Sequence, residues 1–483
     1  MPPDDIQGLL FIGNTPRPAH DADTLPVIDP SDGQRIGSIA RGRAADIDAA
    51  VRSARAAFEG AWGHTPAMAR GRLLMRLAAL VDAHRESLAL LESRDVGKPI
   101  GQARADAAAL ARYFEYYAGA ADKLHGQTIP YQDGYTVLTL REPHGVTGHI
   151  IPWNYPMQIL GRTVAAALAA GNACVVKPAE DACLSVLRVA QLAAEAGLPP
   201  GAFNVVTGLG AEAGQALAEH PGVDHLSFTG SAATGRRVAQ AAATHHAPVT
   251  LELGGKSPQI VFEDADLDAA LPVLVAAIVQ NAGQTCSAGS RVLIADTIHD
   301  RVLEALAARF EALCAGPAAA DLDLGPLVSR RQQQRVWDFL SQAQTEGLAV
   351  AAEGSVIEGA PAGGFYQAPV LLANVPVASS LFQEEIFGPV LVTASFADEA
   401  AAIALANATR YGLAAGIWTR DGARQLRMAR AIRSGQVFIN NYGAGGGVEL
   451  PFGGTGASGH GREKGFEALY GFTALKTVAI RHG

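Results

Sequence analysis

From residue 144 to 255 the chain alternates short β-rich runs with longer amphipathic ones, and this rhythm most restricts the fold. HGVTGHII (144–151) reads as a strand, MQILGRTVAAALAAG (157–171) as a helix and NACVVKP (172–178) as a strand. LSVLRVAQLAAEAG is helical again, FNVVTG and HLSFTG are strands, SAATGRRVAQAAA is a helix, and VTLELGG closes the series as a strand. Parallel neighbours need long crossovers, and helices supply them. The pattern therefore predicts an α/β chain with an open, doubly wound parallel sheet whose ligands sit at the strand ends. A second α/β stretch spans about 255–455, with strands expected at RVLIA, FYQAPVLL, GPVLVTASF and QVFINN. Asp46–Glu92, rich in Ala, Leu and Arg, reads as two helices. TIPYQDGYTVLTLREP (128–143) fits neither half; its β-formers around an Asp-Gly turn predict a hairpin, a candidate oligomerisation arm.

Scale and charge narrow the function. A chain of 483 residues, 49% hydrophobic, suffices for two or three cored domains. A net charge of −9 argues against nucleic acid or an anionic membrane as the main partner. No apolar run reaches the roughly 18 residues of a membrane span. MPPDDIQGLLFIGN lacks the basic stretch and apolar core of a signal peptide. Cys174, Cys183, Cys286 and Cys314 show neither metal nor disulfide spacing, so no metal and a reducing cytoplasmic location are expected.

Three residues carry candidate chemistry. GQTCSAG (283–289) places Cys286 among small and polar residues, either as a nucleophile with room for its substrate or as a small buried cysteine beside a turn. Cys174, in the apolar run ACVV, and Cys314, in the helix-like EALCA, read as core, and Cys183 as structural. In VTLELGGKSP, Glu252 stands between two leucines at a strand end. It is either a general base with a raised pKa or a partner of Lys256. In IIPWNYP, Asn154 is either an oxyanion donor or a turn residue. No histidine lies near the Cys286 or Glu252 segments, which counts against a Cys-His hydrolase.

Taken together, PWNYP, KPAE, FTGS, LELGGKSP, GQTCSAGSR, EEIFGPV and PFGG…SGHGRE, in this order along nearly the whole chain, resemble the aldehyde dehydrogenase superfamily. The resemblance implies an NAD-dependent, non-acylating enzyme. It divides the chain into a Rossmann-like NAD-binding domain (1–124 and 144–253), a catalytic domain (254–462) and an oligomerisation arm (125–143 and 470–483). Cys286 would add to the aldehyde as a thiohemiacetal and become a thioester. Asn154 would line the oxyanion hole, and Glu252 would activate the hydrolytic water. Lys177 and Glu180 resemble the pair at the adenosine ribose. A carboxylate there disfavours a 2′-phosphate, so NAD is favoured over NADP. Gly230 and Ser231 open a helix suited to the pyrophosphate. Glu385 and Phe387 resemble the contacts to the nicotinamide ribose, with Ile150, Trp153, Gly210, Gly214, Phe228 and Leu253 as further cofactor-site residues.

The chain departs from the family pattern at Arg162 and Thr163, where many relatives carry an aromatic residue and then a lysine that joins a proton relay. Glu463, at another relay position, is retained. Arg162 would instead shape the substrate mouth or pair with an acid. The Gly-rich NNYGAGGGVELP (440–451) implies a roomy entrance. With Tyr155, Arg162 and Tyr442 as candidate substrate contacts, a bulky apolar aldehyde, aromatic or terpenoid-like, is expected, ahead of betaine or amino-aldehydes and semialdehydes. A CoA-acylating relative, a thioesterase and a non-catalytic protein on the same fold are the competing readings. The arm and the C-terminal FTALKTVAIRHG imply a homodimer or homotetramer.

Overall fold

A computed structural model describes residues 6–483 and shows two large, mostly parallel sheets, each with its own hydrophobic core. Val146–Ile151 lies at the centre of the eight-stranded sheet. From it the chain winds one way through Ala173–Pro178 to Phe203–Val205, then crosses to the other side for His225–Gly230 and Val249–Leu253. These five strands are parallel, and antiparallel strands cap them, Leu10–Ile12 at one end and Gly459–His460 at the other. The reversal of winding falls between Val146–Ile151 and His225–Gly230, so a crevice opens beyond their carboxyl ends. The seven-stranded sheet runs Ala349–Glu353, Val370–Ala373, Val390–Phe396, Arg291–Ala295, Pro258–Val261, Ala414–Trp418, Gln436–Ile439, parallel except for its first strand. Its buried central strands (VLVTASF, RVLIA, PQIV) are nearly continuous apolar runs, as expected with helices on both faces.

Several expectations need correction. Asp46–Glu92 holds three helices, Ala44–Glu59, Ala67–Ala83 and Arg85–Val96. The last two meet at His84, whose φ/ψ of −100°/12° breaks the helix without a Gly or Pro to announce it. The long helix Ile100–Ala120 follows. In FYQAPVLL the strand starts only at Val370. Cys314 sits in the two-residue strand Cys314–Ala315, half-buried, because the preceding helix stops at Glu311. The helix after PWNYP is interrupted by one widened π turn, Gly161–Ala165, which holds Arg162.

The hairpin forms, with a first strand of only Thr128–Ile129. Thr473–Arg481 pairs along the whole of Tyr135–Pro143 in the same chain, leaving its other edge open. Among the described residues no helix is long and apolar enough to cross a membrane.

One turn sets the spacing between the sheets. After the helix Leu267–Val279, the residues Asn281, Ala282 and Gly283 take φ of 49°, 53° and 73° in succession. A Cβ at Gly283 would lie 2.2 Å from the Gly388 carbonyl oxygen, so glycine is required on both counts. Gly283→Ala should lower stability by about 2 kcal/mol or more in urea denaturation, through left-handed strain plus the clash.

Candidate active site

The left-handed turn delivers Cys286, and the first sheet holds it in place. Asn281 Nδ2 donates to the Asn154 carbonyl and Asn154 Nδ2 to the Gln284 carbonyl, both at 2.9 Å. The Asn281 N–H donates to Gln102 Oε1 at 2.9 Å, and Gln284 accepts the Val328 N–H at 3.0 Å. Side-chain amides thus satisfy the irregular backbone and offset its strain. On either side of the thiol, the Tyr155 hydroxyl shares a 2.8 Å bond with Thr285 Oγ1, and the Tyr442 hydroxyl donates to the Ser287 carbonyl at 2.6 Å. The Cys286 carbonyl lies so close to Gly255 that a Cβ there would be 2.6 Å away, which explains the second glycine of LELGG.

Two cavities, of about 480 Å³ and 460 Å³, reach Cys286 from opposite sides, and Asn154 lines both with it. The first lies at the crevice of the eight-stranded sheet. Ile150, Trp153, Phe228, Gly230, Ser231 and Gly210 form one part of its wall, and Lys177 and Glu180 another. Glu252, Glu385 and Phe387 close it near the thiol. Ser231 caps the helix Ala232–Ala243, whose N-terminus faces the cavity. At Gly210 a Cβ would meet nothing within 4 Å, leaving room beside it. Burial pushes Glu180 up, but Lys177, 3.0 Å away, overrides this and keeps it below the usual carboxylate range. A long slot with an anion-accepting helix end and an ionised carboxylate fits a dinucleotide. Gly214 and Leu253 lie behind the wall. Gly214 stands against the Lys177 stem and Leu253 under Gly235.

The second cavity is lined by Tyr155, Arg162 and Tyr442, which it brings together, and also by Phe438, Phe452 and Lys464. Gly443 and Gly446 line it where a Cβ would meet nothing within 4 Å, which makes the mouth wide.

The charges around the thiol are few and buried. Burial pushes Cys286 up to about 12, although the Arg162 charge pulls the other way, so the resting thiol is neutral. Glu252 is buried, neither carboxylate oxygen has a partner, and burial followed by repulsion from Glu463 raises it well above the usual range. It is not paired with Lys256, whose buried ammonium has no partner and which burial and Arg291 press down to about 7. Arg162 donates through Nε at 2.9 Å and Nη2 at 2.6 Å to Glu463 Oε2, while Ser227 donates to Oε1 at 3.2 Å. Arg162 thus pairs with an acid, one of the two expectations for it, and it lines the second cavity. Among the described residues no cluster of His, Cys, Asp and Glu could hold a metal.

The aldehyde dehydrogenase family model matches residues 17–478. This chain belongs to the aldehyde dehydrogenase family. It is 43% identical to the hydroxyisobutyraldehyde dehydrogenase of Mycolicibacterium austroafricanum, over 98% of this chain and 93% of that one. A crystal structure from Burkholderia cenocepacia, described as a candidate aldehyde dehydrogenase, is 70% identical over 99% of this chain and all of that one, with a TM-score of 0.98. The NAD+ complex of a Bacillus cereus aldehyde dehydrogenase is 39% identical, covers 99% of this chain and 97% of that one, and has a TM-score of 0.95. As an aldehyde dehydrogenase the chain is an oxidoreductase with the mixed α/β fold of its relatives.

Sequence reasoning missed part of both cavities of this aldehyde dehydrogenase. Gln332 and Arg335, from the helix Arg330–Thr345, line the first; Gln332 donates to the Phe387 carbonyl at 2.7 Å and Arg335 to the Glu385 carbonyl at 2.5 Å. In SRRQQQRVWDFL they read as an ordinary solvated charge run. Phe452 lies within the PFGG motif and Lys464 directly follows SGHGRE, and only the fold turns them inward. Removing Arg162 would strand Glu463 beside Glu252. Arg162→Met should cost about 3–5 kcal/mol in denaturant titrations, with Arg162→Lys recovering part of the loss.

Proposed function

We propose that this aldehyde dehydrogenase oxidises an aldehyde to its carboxylic acid, using NAD+ in the first cavity and the aldehyde in the second. The single observation carrying this reading is that Cys286 is reached from both cavities. Residues 1–124 and 144–253 are assigned to dinucleotide binding and 254–462 to catalysis. The segments 125–143 and 470–483 are assigned to subunit association, for which the open edge of Thr473–Arg481, with exposed Leu475 and Ile480, is suited.

The chemistry follows from the side chains. Glu252, kept basic by burial and by Glu463, accepts a proton, and the Cys286 thiolate adds to the carbonyl carbon. The oxyanion that forms is held by Asn154 Nδ2, which keeps one N–H beyond its bond to Gln284, and by the Cys286 N–H. Bound NAD+ supplies the hydride acceptor, and a thioester on Cys286 results. Glu252 passes that proton on to solvent, then takes another from water as the water attacks the thioester; the acid leaves and the Cys286 thiolate is released.

Cys286→Ala should abolish aldehyde-dependent NADH formation; retention of full activity would falsify the mechanism. Glu252→Gln should slow both thiolate formation and thioester hydrolysis, so the steady-state rate of aldehyde-dependent NADH formation should fall by about a hundredfold or more. Because the folded-state pKa of Glu252 lies above the usual value, its basic form is depleted at low pH. Deacylation should therefore rise with pH and level off once Glu252 is ionised, and a pH-independent steady state limited by this step would remove Glu252 from the role.

For the cofactor, we favour NAD over NADP because an ionised Glu180 repels a 2′-phosphate. Glu180→Gln should reduce the NAD/NADP ratio of kcat/KM by about tenfold or more, and an unchanged ratio would place selection elsewhere. For the substrate, the aromatic walls of Tyr155, Phe438, Tyr442 and Phe452 and the volume of about 460 Å³ favour an aldehyde with a bulky apolar or aromatic body. A kcat/KM screen won by short amino-aldehydes would overturn that preference.

A further inference from the structure

The charges lining the aldehyde-side cavity cancel in pairs, with one remainder. Arg162 is matched by Glu463. Asp106, the one carboxylate on the wall, has both oxygens engaged, one by the ammonium of Lys98 and the other by Gln158 Nε2 at 2.5 Å. Glu92, the second acid at Lys98, is buried behind that wall and raised to about 8, chiefly by desolvation.

Among the described residues Lys464 has no such ion-pair partner. It is buried on the cavity wall, and its Nζ makes one hydrogen bond, donating at 2.9 Å to the Gly446 carbonyl of the Gly-rich segment. The nearby acid Glu449 is committed to Arg112 on the surface. Burial, then repulsion from Arg162, presses Lys464 down to about 8 against the weaker pull of Glu449 and Glu463, neither of which bonds to it. Its backbone has φ of 61°, a region that a lysine rarely occupies. Two pairings on the same short stretch hold that conformation, the Phe452–Glu463 bridge and the Gly465 N–H donating to the Val448 carbonyl at 2.6 Å. The ring of Phe452 lies 4.3 Å from the Arg162 guanidinium and 5.8 Å from the Lys464 ammonium, an aromatic floor between the two cations.

We infer that Lys464 is a specificity-determining residue, and that the aldehyde taken by this cavity carries an anionic group, such as a carboxylate, remote from its carbonyl and directed at the Lys464 ammonium beside the Gly-rich mouth. The inference deepens the proposed function and rests on it, because it assumes that the carbonyl end lies at Cys286. An aromatic body against Tyr155, Phe438 and Phe452 and an anion at Lys464 together use the walls and the remaining charge of the cavity. Two of the three N–H groups of Lys464 stay free for such an anion, and a charge-assisted bond made at a half-enclosed site is stronger than one in water.

The test compares two aldehydes of one body, 4-carboxybenzaldehyde and 4-methylbenzaldehyde, by NAD-coupled steady-state kinetics. The wild-type enzyme should favour the carboxylate by about tenfold or more in kcat/KM, mostly through KM. Lys464→Met should collapse that ratio by a similar factor, while Lys464→Arg should keep it, since charge and donors remain. Rising ionic strength should erode the wild-type ratio.

A wild-type ratio near one would overturn the inference without needing any variant. So would a Lys464→Met enzyme in which both aldehydes lose activity alike and the ratio stands, which would make Lys464 only a tether for the Gly-rich segment. Failure of the underlying reading is distinguishable, because an enzyme lacking this selectivity would still form NADH from 4-methylbenzaldehyde, whereas a protein that is not an aldehyde oxidiser would form none from either.

Discussion

The exchange of amides between Asn154 and the Asn281–Gln284 turn is the constraint on which the site depends. Asn154 follows the central strand of the first sheet; Asn281 and Gln284 precede a strand of the second. Two hydrogen bonds of 2.9 Å therefore join two separately cored layers at the point where the thiol emerges. The turn is strained at three consecutive residues, and strain of that kind persists only where surrounding bonds over-determine it. A looser join would let Cys286 drift by an ångström or so, enough to spoil attack geometry.

Around that join the chain keeps charge scarce. Arg162 and Glu463 pair and Ser227 donates to the second oxygen of the acid, so their charges offset each other on this part of the wall. Among the described residues Glu252 has no partner for either oxygen, and burial, followed by repulsion from Glu463, raises its pKa. A guanidinium at Arg162 holds its proton under all ordinary conditions, where an ammonium could give one up. In this chain Arg162, the partner of Glu463, is thus a fixed charge that lowers the pKa values of Glu252 and Cys286 through its field.

The parts legible in the sequence were those written locally. The parallel winding of 144–255 followed from alternating periodicities, and Cys286, Glu252 and Asn154 stood out because each occurs where its residue type is a poor core choice. Other features were hidden for physical reasons. The break at His84 needs only one residue in the bridge region, which leaves no compositional trace. Cys314 followed an amphipathic run and read as its last turn, yet the strand pairing of Cys314–Ala315 with Ser355–Val356 ended the helix first. Nothing local marked Gln332 and Arg335, because the Phe387 and Glu385 carbonyls that place them at the cavity lie about fifty positions away, and Arg335 itself stays exposed. The Glu463 pairing of Arg162 spans 301 positions and depends on the π turn that rotates the arginine toward the site.

Strain and slack fall on opposite sides of the sulfur. Toward the first cavity, Phe387 is held at φ of 63° with its ring edge-on to Trp153 at 5.3 Å, and Gln332 fixes its carbonyl. That wall is built to one shape. Toward the second cavity, Gly443 and Gly446 have no neighbours where a side chain would project, yet the segment is pinned around them, by Tyr442 to the Ser287 carbonyl, by Lys464 to the Gly446 carbonyl and by the Gly465 N–H to the Val448 carbonyl. Slack is thus confined to a few glycines between fixed points. The backbone on either side of Cys286 stays anchored, by the amide join before it and by Tyr442 after it.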